Sequence, residues 1–124
     1  MIRRMPTHCY DETCPSCVVA GDFIYLAHHA GKFDRQEITY QMRTAFDKMQ
    51  KTLQSAGASL NDMVQINLYL RNLSDFDAAI DVFREYFDAG CFPARMTQTT
   101  DFLDAECLCM IDGVAYKPGC AEGK

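Results

Sequence analysis

Two adjacent segments with different hydrophobic periods constrain this chain more than any other feature. Between Glu37 and Ala56 the apolar side chains Ile38, Met42, Ala45, Phe46, Met49 and Leu53 recur every three or four residues, the stripe of an amphipathic helix. Gly57 follows, where a left-handed C-terminal cap is common. Between Met63 and Leu70 the period drops to two: Val64, Ile66, Leu68 and Leu70 alternate with Gln65, Asn67 and Tyr69, the pattern of a strand buried on one face. A helix that runs into such a strand has to bury its stripe against a sheet, which requires a layered α+β arrangement.

The flanking segments extend that frame. Val18-Val19-Ala20 and Phe23-Ile24-Tyr25-Leu26-Ala27 read as two strands joined by a Gly21-Asp22 turn, with the glycine supplying a positive φ. Ser74 offers a hydroxyl N-cap, and Asp75 and Asp77 in the next turn favour a helix dipole. Phe76, Ala79, Ile80, Phe83 and Phe87 then form a second apolar stripe that ends near Gly90. After the Phe92-Pro93 loop, Arg95 to Phe102 and Cys107 to Tyr116 read as two more strands, separated by a polar turn at Asp104-Ala105-Glu106. The predicted order is ββαβαββ in one domain spanning residues 1–124, with its core at about 18–116. Two helices would lie on one face of a mostly antiparallel sheet. They cannot cover the other face, where Tyr69, Leu108, Met110 and Val114 are expected; self-association into a ring with packed sheets would bury it.

Composition narrows the function classes. A chain of 124 residues and 14.0 kDa suffices for one core, and a net charge of −5 disfavours nucleic acid as partner, because phosphate binding wants a basic face. No apolar run approaches the ~20 residues of a membrane span. The start Met1-Ile2-Arg3-Arg4-Met5-Pro6 has charge but no following apolar stretch, so the expected location is cytoplasmic. Seven cysteines, an odd number, are expected to be reduced thiols. Cys14-Pro15-Ser16-Cys17 is a C-x-x-C, which suits half a zinc site or a redox pair, but no second half has matching spacing. Cys107 and Cys109 should share a buried strand face with Ile111. A zinc-stabilised interaction module using Cys9, Cys14 and Cys17 is one alternative; no metal and no special role for these thiols is the main expectation.

Two residues stand out chemically. Arg95 follows a proline-stiffened Phe92-Pro93-Ala94 loop, and its guanidinium presents a rigid fork suited to a carboxylate, with an intramolecular ion pair as the other use. Asp112 sits among apolar residues in Met110-Ile111-Asp112-Gly113-Val114, where a carboxylate needs a partner and suits acid–base work; Arg95 is one candidate partner. His28 and His29 are consecutive near a strand end, so only one of them can face a cleft.

The succession of helix, Gly57-Ala58-Ser59-Leu60-Asn61-Asp62-Met63-Val64, strand, Leu73-Ser74-Asp75-Phe76, Tyr86-Phe87, Phe92-Pro93-Ala94-Arg95 and a terminal apolar strand resembles the RidA (YjgF-type) family from about Val18 to Tyr116. The resemblance implies a chorismate-mutase-like fold and a homotrimer with clefts at the three subunit interfaces. It further implies cofactor-free hydrolysis of reactive enamines and imines released by pyridoxal-phosphate-dependent dehydratases. Other members carry an endoribonuclease label, which the acidic charge of this chain does little to support. Arg95 falls on the family arginine that binds the substrate carboxylate, and Asp112 on the last-strand glutamate that positions or activates water, one carbon–carbon bond shorter. Ala27-His28-His29 replaces a Ser-Gly-Gln stretch, with His29 at the glutamine and suited to shuttle a proton; Ile80 replaces an asparagine and Thr97 a cysteine. The family tyrosine of the N-terminal segment has Tyr10 as its nearest counterpart. The resulting expectation is a hydrolytic deaminase of small enamine or imine carboxylates, with Arg95, Asp112 and His29 catalytic and Ala27, Ile80 and Thr97 lining the cleft. The alternative is a non-catalytic trimeric binder of 2-oxo acids.

Overall fold

The computed structural model describes residues 1–120. Among the described residues the chain forms six strands and two α-helices: β1 (Ile2–Arg4), β2 (Cys17–Ala20), β3 (Phe23–His29), α1 (Ile38–Ser55), β4 (Met63–Leu70), α2 (Phe76–Tyr86), β5 (Ala94–Thr99) and β6 (Cys109–Tyr116). They build one sheet in the order β1-β2-β3-β6-β4-β5, antiparallel except where β5 joins β4. Both helices pack on one face, so the two-layer α+β expectation holds. None of the described helices is long and apolar enough to cross a membrane.

The periodic segments form as their spacing requires. Every apolar residue of the α1 stripe except Ile38 is buried, and Phe46 at its centre packs against Phe83, Tyr86 and Phe87 with ring centroids 5.1, 5.0 and 5.7 Å away. Gly57, at φ +84°, lets the chain turn out of α1 while the Ala58 N–H donates to the Leu53 carbonyl. Ile66, Leu68 and Leu70 of β4 and Ile111 of β6 lie under the helices and are fully buried. Tyr69, Leu108, Met110 and Val114 are half-buried on the face the helices leave open, and Tyr25 and Phe23 beside them are exposed.

Four details differ from the sequence expectation. Ile2–Arg4 pairs with β2 as an extra edge strand, too short for any periodic signal. Ser74 is not the cap of α2: a single 3-10 turn over Leu73–Asp75 leads into the helix, and Asp75 takes the N-cap position without a side-chain bond. β5 stops at Thr99 because β4 ends at Leu70 and offers no further partner. β6 starts at Cys109, since the Cys107 N–H is used in a turn to the Asp104 carbonyl.

Candidate functional site

The pleat of β4 distributes the site residues. Neighbours along a strand point to opposite faces, so Ile66 looks toward the helices and Asn67 toward the open face. Arg95 on β5 is in register with Ile66, whereas Asp112 on β6 is in register with Asn67. The cation and the acid are therefore on opposite sides of one sheet. An ion pair between Arg95 and Asp112 does not form, and among the described residues Arg95 has no ion pair at all.

Asp112 is a hub for three donors. Asn67 Nδ2 donates to its Oδ1 at 2.7 Å, and Tyr69 Oη donates to its Oδ2 at 3.1 Å. His28 Nε2 lies 3.0 Å from the same Oδ2. Burial pushes the carboxyl up, but these hydrogen bonds outweigh it and hold Asp112 below the ordinary carboxylate range. The bond to Asp112 in turn raises the His28 imidazole against the opposing effect of burial. At neutral pH Asp112 is a carboxylate, and the half-exposed His28 is its most accessible partner.

Arg95 is pre-set differently. Its guanidinium carbon lies 5.6 Å from the Phe76 ring centroid and 5.5 Å from that of Phe83, which places the fork over α2. Its Nε donates to Thr97 Oγ1 at 3.1 Å, so the two terminal nitrogens stay available to an incoming anion. A groove of about 280 Å³ is lined by Ile80, Phe83, Arg84, Phe92 and Arg95. Ile80 thus shares a groove with Arg95, and Thr97 acts on the guanidinium itself. No sequence signal identifies Phe76 and Phe83 as the platform under Arg95, because the helical stripe accounts for both as core.

His29 does not face a cleft, contrary to expectation. Strict alternation along β3 would put it on the open face with Phe23, Tyr25 and Ala27. Between Leu26 and His29, however, β3 carries one residue more than the facing stretch of β6, a bulge that exchanges the two faces. His28 is turned outward and His29 inward. A carbonyl only accepts, so His29 Nδ1–H donates to the Ala27 carbonyl at 2.7 Å, and the Thr52 hydroxyl donates to Nε2 at 2.8 Å. The Ala27 carbonyl is thus the acceptor for His29 in the bulge, and the residue itself is half-buried. Burial depresses His29 to about 4, so it stays neutral while an unfolded histidine takes up a proton near 6.5. Between those values the unfolded state binds more protons, and stability falls as pH falls. Acidification from pH 6.5 to 4.5 is expected to cost about 2 kcal/mol through this residue. Urea unfolding at the two pH values measures it, and His29→Gln should flatten the difference. Asp112, with its lowered value, adds a loss only below its unfolded value of 3.8.

The N-terminal segment braces the bulge. His8 stacks on His29 at 4.2 Å, and its Nε2–H donates to the His28 carbonyl at 2.6 Å. Tyr10, at φ +61° with its side chain fully exposed, makes no site contact within the chain. Cys14 and Cys17 are not a working pair: Cys17 starts β2 in the core, where burial pushes its thiol up to about 11, while the Cys14 thiol donates to the Pro15 carbonyl at 3.7 Å. The zinc module on Cys9, Cys14 and Cys17 therefore loses a ligand to the core. Among the described residues no three His, Cys, Asp or Glu side chains are grouped to hold a metal ion. Cys107 and Cys109 are buried, as expected beside Ile111.

Comparison with known proteins yields consistent matches. The sequence pattern of the family described as Endoribonuclease L-PSP matches residues 13–117. A RutC family protein of Pyrococcus horikoshii is 30% identical over 106 residues, 81% of this chain and 83% of that protein. A protein of Dermatophagoides farinae named 2-iminobutanoate/2-iminopropanoate deaminase is 34% identical over 86 residues, 64% of this chain and 66% of that one. Among solved structures, a YjgF-family protein of Streptococcus pyogenes superposes with a TM-score of 0.84 at 30% identity, covering 94% of this chain and 97% of that chain.

Proposed function

The chain belongs to the endoribonuclease L-PSP family, the RidA/YjgF group, and from that membership we propose that it is a hydrolytic deaminase of small enamine or imine carboxylates, with its sites between subunits of a homotrimer. The observation that carries the reading is the separation of Arg95 and Asp112 by one sheet. A single chain cannot bring both to a small molecule. A neighbouring copy that lays its open face beside the β5 edge can, because all six residues of β5 are exposed. The same contact covers the apolar side chains around Tyr69, Met110 and Val114, which would otherwise remain a large wet patch. The likeness to a protein named as a 2-iminobutanoate/2-iminopropanoate deaminase supports the substrate class.

The chemistry asks for little: water adds to the C=N carbon, and the carbinolamine collapses to a carbonyl with release of ammonia. Arg95 of one chain grips the substrate carboxylate through its terminal nitrogens, and Ile80 and Thr97 shape and hold that end. Asp112 of the next chain, with the side chains hydrogen-bonded to it, places a polar, water-ordering cluster against the imine carbon. Fixing the carboxylate turns an encounter into a positioned attack. Mixing the protein with an imine of a small 2-oxo acid, generated in place by an amino-acid oxidase, is expected to accelerate release of ammonia and 2-oxo acid. Tight binding of the 2-oxo acid without acceleration would instead favour the non-catalytic binder, a reading supported by the three partners Asp112 already holds within the chain. Neither binding nor acceleration would remove both readings.

A further inference from the structure

We propose that His28 is the proton-transfer residue of this site and that Asp112 is its positioning residue, a role that rests on the deaminase reading above. Three of the four acceptor positions of Asp112 are filled, one on Oδ1 by Asn67 and two on Oδ2 by Tyr69 and His28, which leaves a single position on Oδ1 for water. His28 has the opposite character. Its side chain is 56% exposed against 16% for Asp112, and with Nε2 on the carboxylate its Nδ1 has no partner among the described residues. The ring is held by Asp112 and by the edge of Tyr69 at 5.0 Å, and the backbone that carries it is fixed by the His8 bond to the His28 carbonyl. An exposed imidazole anchored by a buried carboxylate, with its second nitrogen facing outward, is the arrangement of a general acid–base group.

The bulge in β3 and the short acid fit together. An aspartate ends one bond nearer the sheet than a glutamate would, and the imidazole that the bulge turns outward extends beyond it. Proton accounting closes on this one group. As water adds to the protonated imine, the carbon–oxygen bond forms, the C=N electron pair moves to nitrogen, and His28 Nδ1 takes the water proton. His28 then returns that proton to the amine nitrogen, the carbon–nitrogen bond breaks, and ammonia leaves. The hydroxyl proton of the carbinolamine passes to solvent as the carbonyl forms. The groups facing His28 are Asp112 from β6, Tyr69 from β4, His8 from the N-terminal segment and, in the proposed trimer, Arg95 of a neighbouring copy.

The test compares His28→Gln, Asp112→Asn and Arg95→Ala with the wild type, reading kcat, KM and the pH profile after subtraction of uncatalysed hydrolysis. His28→Gln is expected to lower kcat by about 100-fold or more with KM changed less than about threefold, and to abolish the acidic limb of the profile. Asp112→Asn should keep a limb but shift it to lower pH, because the neutral amide no longer favours the imidazolium. NMR titration of His28 in that variant follows the same shift without any need for activity. Wild-type kcat and an intact acidic limb in His28→Gln, with turnover still lost in Arg95→Ala, would overturn the dyad and leave the deaminase reading standing. Absence of turnover in the wild type would overturn both.

Discussion

Replacing Arg95 by alanine is expected to lower kcat/KM for a small 2-imino acid by about 100- to 10,000-fold while leaving the fold intact. The magnitude follows from what the fork would do: two charge-assisted hydrogen bonds to a carboxylate, each worth roughly 1.5–3 kcal/mol, held where they need not be assembled for each substrate. The holding is visible in the structure. Phe76 and Phe83 form the floor, and Thr97 fixes Nε. Arg95→Lys should recover only part of the loss, since an ammonium keeps the charge but not the planar pair of donors. Because the side chain is exposed and forms no ion pair among the described residues, the variant's stability should stay within about 0.5 kcal/mol of wild type, checked by a urea melt. An equal loss for an uncharged imine would show that the fork does not read the carboxylate. An unchanged kcat/KM for the imino acid would remove Arg95 from the site.

Most of the fold was legible because it is written in periods. The α1 stripe, the alternation of β4 and the glycine at position 57 each bear on local backbone geometry, and each element formed where its period lies. The site was legible only in part. Arg95 and Asp112 announced themselves, one by its place behind a stiff loop and the other as a lone acid in an apolar strand. Their placement on opposite faces depends on the pairing of β4 with β5 and β6, a long-range register that local pattern does not encode.

The two histidines show the limit most clearly. That they point to opposite faces follows from chain geometry, but which one points outward is decided by a single extra residue between Leu26 and His29. No side chain in Ala27-His28-His29 advertises a bulge. Asn67 and Tyr69 carried a signal that can be used: asparagine is uncommon within strands, and its presence in an alternating segment implies a polar partner on the same face. Asp112 in the adjacent strand is that partner.

The shared site can be tested by complementation. Arg95→Ala keeps an intact His28–Asp112 cluster, and Asp112→Ala, which removes the anchor of His28 altogether, keeps an intact guanidinium fork, so each variant alone is expected to be nearly inactive. In a cyclic trimer each interface takes its cation from one chain and its acid from the next. Every mixed trimer, whichever variant it holds twice, therefore has one of its three interfaces with both groups intact. Co-expression of the two variants with separate tags, followed by isolation of the mixed oligomer, is expected to restore ammonia release from the imine to a corresponding fraction of wild type. A mixed oligomer no more active than either parent would contradict a site built from two chains and would require Arg95 and Asp112 to serve separate purposes.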